Sequence, residues 1–298
     1  SRPPNSRTSL AMQTTPSPRS RTLGLSLLLS ALLCACAPMA QVQPPQGEVK
    51  GSALVHTEAS ARNVVANAQL VLPASATGGA IYTGAFKDAP SGLRGPMPVV
   101  VFMHGSSGLS LKAIAEWQQW LATQGIASFA PDSFALPDRV TYKSPVGKDV
   151  YAKILALRDA EITLAAKALS GTPWADSRRL VLAGTSEGGA AVARYQGGEF
   201  AGRVIFSWSC EDNYFVQSHA TAVPADQPVL NVMSTADPFF SPTNSWLGNP
   251  AAQGHCGRAF KDHKNASVVL IPGAPHTLIN LPAARQPVQG FLQAILKP

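Results

Sequence analysis

Three observations predict a single α/β domain with a mainly parallel sheet. Short apolar runs rich in Val and Ile, each bounded by Gly or Pro, recur along the chain. Segments with helical spacing lie between several of them, and no long linker, charge run or internal repeat interrupts residues 49–298. Strands alternating with helices are the pattern of a parallel sheet covered by helices.

Six runs carry the strand assignment: PVVVFMHG (98–105), IASFAPDS (126–133), RRLVLAGTS (178–186), RVIFSWS (203–209), PVLNVMSTAD (228–237) and ASVVLIPGAPH (266–276). Continuous apolar runs of this length suit strands buried on both faces. Between the first two, LKAIAEWQQWLATQG (111–125) places Ile114, Trp117 and Leu121 on one helical face, with Gly125 as the stop. DVYAKILALRDAEITLAAKALSG (149–171) is a longer helix, with Asp149 expected as its cap and Gly171 closing it. Residues 49–97 read as antiparallel strands ahead of this core.

The chain has 298 residues, 45% hydrophobic and 14% charged, enough for one large domain with a sizeable core. Its N-terminal part is different in kind. Arg19 and Arg21 precede the apolar run TLGLSLLLSALLCACA, which is about as long as the apolar region of a secretion signal. A spanning helix needs roughly 20 apolar residues, and this run breaks between Cys34 and Pro38. Residues 1–36 are therefore expected to be a signal peptide, with Met12 a candidate true start.

Leu33-Cys34-Ala35-Cys36 resembles a bacterial lipobox, which would place lipid on Cys36. Ordinary cleavage after Ala37 or Ala40 is the alternative, and Pro38 disfavours the first of these. The expected protein is exported, either held in a bacterial cell envelope (lipid-anchored or periplasmic) or secreted, and it touches membrane only through that anchor. The Pro/Gln-rich residues 37–48 are expected to be a tether.

Formal net charge is +7, but residues 1–36 hold four arginines and no acid. The remainder carries 20 basic and 17 acidic residues, a net of +3. With no basic stripe interleaved with aromatics, nucleic acid is excluded as a partner. Two cysteines, Cys210 and Cys256, remain beyond the leader. In an exported protein they are expected to form one disulfide, and two buried thiols are the alternative.

In a parallel sheet the strands end on a common edge, where ligands collect. RRLVLAG runs into Thr185-Ser186-Glu187-Gly188-Gly189, completing Gly184-x-Ser186-x-Gly188 between a buried strand and an Ala-rich helical segment. Such a turn puts serine in an unfavourable backbone conformation, and the glycines remove the clashes around it. A serine nucleophile needs a base and a carboxylate to orient that base. Asp237 follows PVLNVMST, and His276 follows the last apolar run. Ser186, Asp237 and His276 are thus the expected triad. Oxyanion donors are expected from the N–H groups of Glu187 and of Ser106, in His104-Gly105-Ser106-Ser107-Gly108, with His104 holding that loop.

The segments HGSSG, APDSF, GTSEGG, TADPFF and Pro275-His276 make residues 95–298 resemble an α/β-hydrolase of the dienelactone-hydrolase-like group. The resemblance implies the α/β-hydrolase fold, a mainly parallel sheet of about eight strands with helices on both faces, and Ser-His-Asp hydrolysis. Dienelactone hydrolases proper have cysteine where this chain has Ser186, which favours ordinary carboxylic esters over dienelactones.

Further substrate contacts are expected from Ser107, from Glu211 in SCEDNYF (209–215), and from Arg139 in a proline-bearing loop (135–147), read as a substrate lid with Arg139 meeting a carboxylate, a solvated surface arginine being the alternative. His255, Cys256 and His263 are spaced too irregularly for a zinc motif, so neither metal nor other cofactor is expected. The expected function is a serine hydrolase acting on a small-molecule carboxylic ester. A serine peptidase or amidase, an acyltransferase, and a non-catalytic envelope-binding lipoprotein are the alternatives.

Overall fold

A computed structural model describes residues 43–217 and 221–297. The leader, Met12, Cys36 and the first half of the expected tether (37–42) lie outside the described residues. The chain enters through β1 (Glu48–Lys50), α1 (Glu58–Ala66), β2 (Gln69–Leu72), α2 (Ala74–Thr77) and β3 (Tyr82–Ala85). The central part follows as β4 (Met97–Met103), α3 (Lys112–Thr123), β5 (Ala127–Ala130), β6 (Thr141–Lys143) and α4 (Lys148–Ser170). It closes with β7 (Ala175–Thr185), α5 (Glu187–Arg194), β8 (Gly202–Phe206), β9 (Val229–Ser234), β10 (Ala266–Ile271) and α6 (Pro282–Ile295).

Eight strands form one sheet in the order β10-β9-β8-β7-β4-β5-β2-β3. The six from β10 to β5 are parallel, and β2 and β3 continue the sheet antiparallel. Side chains alternate across it, as the two-residue strand period requires. Val99, Val101 and Met103 join one core with Tyr151, Ile154 and Ile162 of α4 and Val192 of α5. Val100 and Phe102 join the other, with Ile114, Trp117 and Leu121 of α3 and Val288 and Leu292 of α6. Both faces are covered, which is why these strands read as continuous apolar runs. The edge strand β10 is the exception, with Leu270 43% exposed.

Four local expectations need correction. Helix α4 starts from Gly147 as N-cap, with Asp149 inside its first turn. Residues 49–97 contain α1 as well as antiparallel strands. Its start is fixed by Thr57, whose side chain accepts from the Ser60 N–H (3.1 Å) while Ser60 Oγ accepts from the Thr57 N–H (2.9 Å). This is a capping box built with serine in place of the usual Glu or Gln. The tether reading also runs too far, because Glu48 already pairs with Lys143 in the small β1–β6 sheet. In 126–133 the strand stops at Ala130, and a single 3-10 turn follows at Ser133–Ala135.

The chain runs from β4 to β5 on one side and later to β7 on the other. Neighbouring strands whose connections diverge leave a crevice at their C-terminal ends. The loops after β4 and β7 both open there.

Candidate active site

The turn between β7 and α5 is the most constrained backbone in this crevice. Ser186 has φ 56° and ψ −120°, a region that costs a non-glycine residue about 1–3 kcal/mol. Its N–H donates to the Phe206 carbonyl (3.0 Å) in the neighbouring strand. A Cβ on Gly188 would stand 2.0 Å from the Met103 carbonyl oxygen, and one on Gly184 2.5 Å from that of Gly188. The spacing of the motif is therefore a packing requirement of this turn. Neither neighbour leaves room for a side chain.

Asp237 follows β9 in a turn that fixes both its oxygens. Oδ1 accepts from the N–H groups of Phe239 and Phe240, each at 2.9 Å, and Oδ2 lies 2.7 Å from His276 Nδ1. Asp237 is fully buried and His276 partly exposed. A carboxylate can only accept here, so in the neutral ring the proton belongs on Nδ1 and the lone pair on Nε2. The ring packs against Phe239 and Phe240, with centroids 4.7 and 5.9 Å away. Its backbone carbonyl accepts from Ser207 Oγ (2.5 Å).

Ser186, His276, Ser106 and Ser107 line one cavity of about 130 Å³, walled by Tyr142, Phe215, Phe239 and Phe240. Gly105 brings the loop after β4 against Ser186, since a Cβ there would lie 3.3 Å from Ser186 Cβ. Glu187 opens α5, and the first N–H groups of a helix have no intrahelical partner. A larger cavity of about 300 Å³ opens at the opposite, N-terminal edge of the strands, beside Pro98, Trp120 and Leu292. Its lining includes no histidine, acid or serine.

The loop histidine is held as a structural group. His104 is fully buried, its Nδ1–H donates to the Gly105 carbonyl (2.7 Å), and its Nε2 accepts from the Ser133 N–H (3.1 Å). Burial first, and then the Arg158 charge, holds its imidazole well below the ordinary value, so the ring is neutral.

Behind the elbow lies an ion-pair network of residues far apart in sequence. Glu187 Oε1 is 2.7 Å from Arg139 Nη2 and 3.3 Å from Arg158 Nη1, and Oε2 accepts from Tyr142 Oη (2.8 Å). Arg158 Nε lies 3.1 Å from Glu161 Oε2, and its Nη2 donates to the His104 carbonyl (2.9 Å). Glu161 Oε1 also meets His56 Nε2 (3.0 Å) and accepts from Ser133 Oγ (2.6 Å). Burial works to raise the Glu161 carboxyl, but Arg158, His56 and Ser133 outweigh it and hold it below its ordinary value. Burial and the Glu187 charge push the Tyr142 phenol well above its own.

Two expected substrate contacts are corrected. The Arg139 side chain is 1% exposed and bound to Glu187, so it meets no substrate and closes no lid. A guanidinium taken out of water needs partners that compensate its charge, and Glu187 supplies a carboxylate from within the fold. Glu211 is turned away from the cavity. Its carboxylate accepts from the N–H groups of Gln253 and Gly254, both at 2.9 Å, beside the disulfide that joins Cys210 and Cys256.

Tyr142, Arg158, Glu161, His56 and Ser133 went unnoticed in the sequence. Only Arg158 and Glu161 leave a trace there, as charges three apart that share the helical spacing of the apolar positions Ile154, Leu157 and Ile162 in α4. Among the described residues no group of three or more His, Cys, Asp or Glu could hold a metal ion. No helix among them is long and apolar enough to cross a membrane.

Comparison with curated proteins finds no match. Among solved structures, the chain is similar to Est1E from Butyrivibrio proteoclasticus, at 17% identity and TM-score 0.45, over 77% of this chain and 92% of that one. It is similar to TT1662 from Thermus thermophilus at 18% identity and TM-score 0.47, over 69% and 91% of the two chains. A cold-adapted esterase from an Arctic intertidal metagenomic library gives 16% and 0.47, over 73% and 88%. Residues 84–285, more than half of the chain, match the family described as dienelactone hydrolase and include Ser186, Asp237 and His276. The chain belongs to the dienelactone hydrolase family.

Proposed function

We propose that this hydrolase cleaves carboxylic esters through an acyl-enzyme on Ser186. The observation that carries the reading is the convergence on one cavity of a serine at φ 56° and a histidine whose Nδ1 is held by a buried carboxylate. Ser186 Oγ attacks the ester carbonyl while His276 Nε2 takes its proton, and Asp237 stabilises the imidazolium that forms. The developing oxyanion is received by the N–H groups of Glu187 and Ser106. Preorganised donors of this kind supply much of the rate enhancement in acyl transfer.

His276 then protonates the departing alcohol. Water enters, gives up a proton to His276 and releases the acid by the same steps in reverse. No cofactor takes part in this scheme. The disulfide and the leader support an exported setting, since such bonds persist in oxidising compartments.

The test is labelling by a fluorophosphonate probe alongside turnover of 4-nitrophenyl acetate. Wild type is expected to label, and Ser186→Ala and His276→Ala to lose both labelling and at least about 10⁴-fold in kcat. A folded wild type that neither labels nor turns over the ester overturns the reading and leaves a binding protein in its place. Faster cleavage of the matching anilide than of the ester would favour a peptidase or amidase. Diversion of product by added alcohols would identify an acyltransferase.

A further inference from the structure

We propose that Glu187 makes the cavity selective for esters with an uncharged, compact acyl group, by holding Arg139 and Arg158 behind the cavity wall. This rests on the ester-hydrolase reading above. The wall presents Leu111, Tyr142, Phe215, Phe239 and Phe240, and its polar groups are hydroxyls, backbone and His276. Among the described residues no Asp, Glu, Lys or Arg contributes to it. A carboxylate entering such a space would lose its hydration and gain no cation in return, whereas an uncharged acyl group loses little.

Two cations nonetheless lie just behind this surface. Tyr142 faces the cavity, and its hydroxyl donates to the same Glu187 carboxylate that binds both guanidinium groups. The side chains of Arg139 and Arg158 are 1% and 0% exposed. Two arginines face two glutamates, Glu161 and Glu187, and the His104 ring between them is neutral. Among the described residues Glu187 is the one acid of this cluster that forms an ion pair with both arginines. Removing that one charge leaves a buried guanidinium without its partner, and a substrate carboxylate becomes the available replacement.

Size argues in the same direction. About 130 Å³ falls well short of the roughly 300–1,000 Å³ usual for small-molecule pockets. It fits an acyl group of a few carbons.

The test compares two nitrophenyl esters of one shape, whose acyl chains end in a carboxylate or in the isosteric carboxamide. Spontaneous hydrolysis is subtracted from each. Wild type is expected to favour the carboxamide at least about 10-fold in kcat/KM, a difference of about 1.4 kcal/mol. Glu187→Gln should bring that ratio to one or below, chiefly by lowering KM for the anion. Arg139→Gln leaves excess negative charge behind the wall and should move the ratio the other way, above wild type. It carries the test if Glu187→Gln does not fold.

A wild-type ratio near one overturns the proposal by itself. So does an unchanged ratio in the variants that fold, Arg139→Gln by itself sufficing where Glu187→Gln does not fold. A wild type that accepts neither ester and takes no fluorophosphonate instead overturns the ester-hydrolase reading beneath it.

Discussion

Helix α5 is held at both ends by buried arginines, and the two ends are built on different physics. At its N-terminus the arginines meet carboxylates, with Arg139 and Arg158 on Glu187 and Arg158 on Glu161. At its C-terminus Arg203, fully buried, meets none. Its Nη1 donates to the carbonyls of Val192 (2.9 Å) and Tyr195 (2.6 Å), its Nη2 to that of Gly197 (3.1 Å), and its Nε to Gln227 Oε1 (2.7 Å). The last carbonyls of a helix lack intrahelical partners and carry the negative end of its dipole, so a cation is well placed there. Burial still lowers the Arg203 pKa to about 10.

The difference concerns what happens when one partner is lost. Charges paired with charges strand each other when either is removed. A charge spread over backbone dipoles leaves only unmade hydrogen bonds behind. The end beside Ser186 is thus the more fragile one.

The largest effect is expected from Arg158→Met, which leaves Glu161 with only His56 and Ser133 and Glu187 with Arg139 as its one cation beside the Tyr142 hydroxyl. Urea unfolding should show a loss of about 3–5 kcal/mol, the range for breaking a buried pair. Arg203→Met removes a charge with no carboxylate to strand, and the same measurement should give about 2–3 kcal/mol. An equal or larger loss at Arg203 would mean that the two ends do not differ in this way.

Acid should separate them next. The folded state holds His104 below its ordinary value of 6.5, so below about pH 6.5 the unfolded chain takes up a proton that the folded one refuses. Stability should therefore fall as pH drops through that region. Glu161 acts later, because a carboxyl held below 4.5 contributes stability that is lost as pH falls through its folded value. Arg203 hydrogen-bonds carbonyls and Gln227, none of which titrates, and Asp159 and Glu199 act on its charge only from outside that set. A urea midpoint that stays flat from pH 7 to pH 5 would remove His104 from this account.

The strands and the elbow could be read from the sequence because their signals are local. PVVVFMHG and RRLVLAG are buried on both faces and show it in composition, and the glycines around Ser186 answer to clashes within a few residues. Asp237 and His276 could be found because each follows an apolar run on the same sheet edge. The arginine network could not be found this way. Its partners come from α4, the 133–142 segment and the elbow, and arginine is ordinarily an exposed residue.

Arg139 shows the cost of that rule. Its proline-bearing loop suggests a surface, and only the folded chain reveals Glu187 beside it. Helix α1 escaped for another reason: only Ser60 and Val64 of its nine residues are buried, so no apolar stripe announces it.

The small β1–β6 sheet places Val49 opposite Tyr142, the residue that both faces the cavity and bonds Glu187. Gly47 lies so close to the Pro145 carbonyl that no side chain would fit between them. The first strand therefore acts as a splint for the cavity wall. Cutting the chain back to α1 would spare all eight strands of the main sheet and still unbrace the site. For anyone trimming this protein, the permissible limit lies upstream of Gly47, well outside the part that the sheet alone would define.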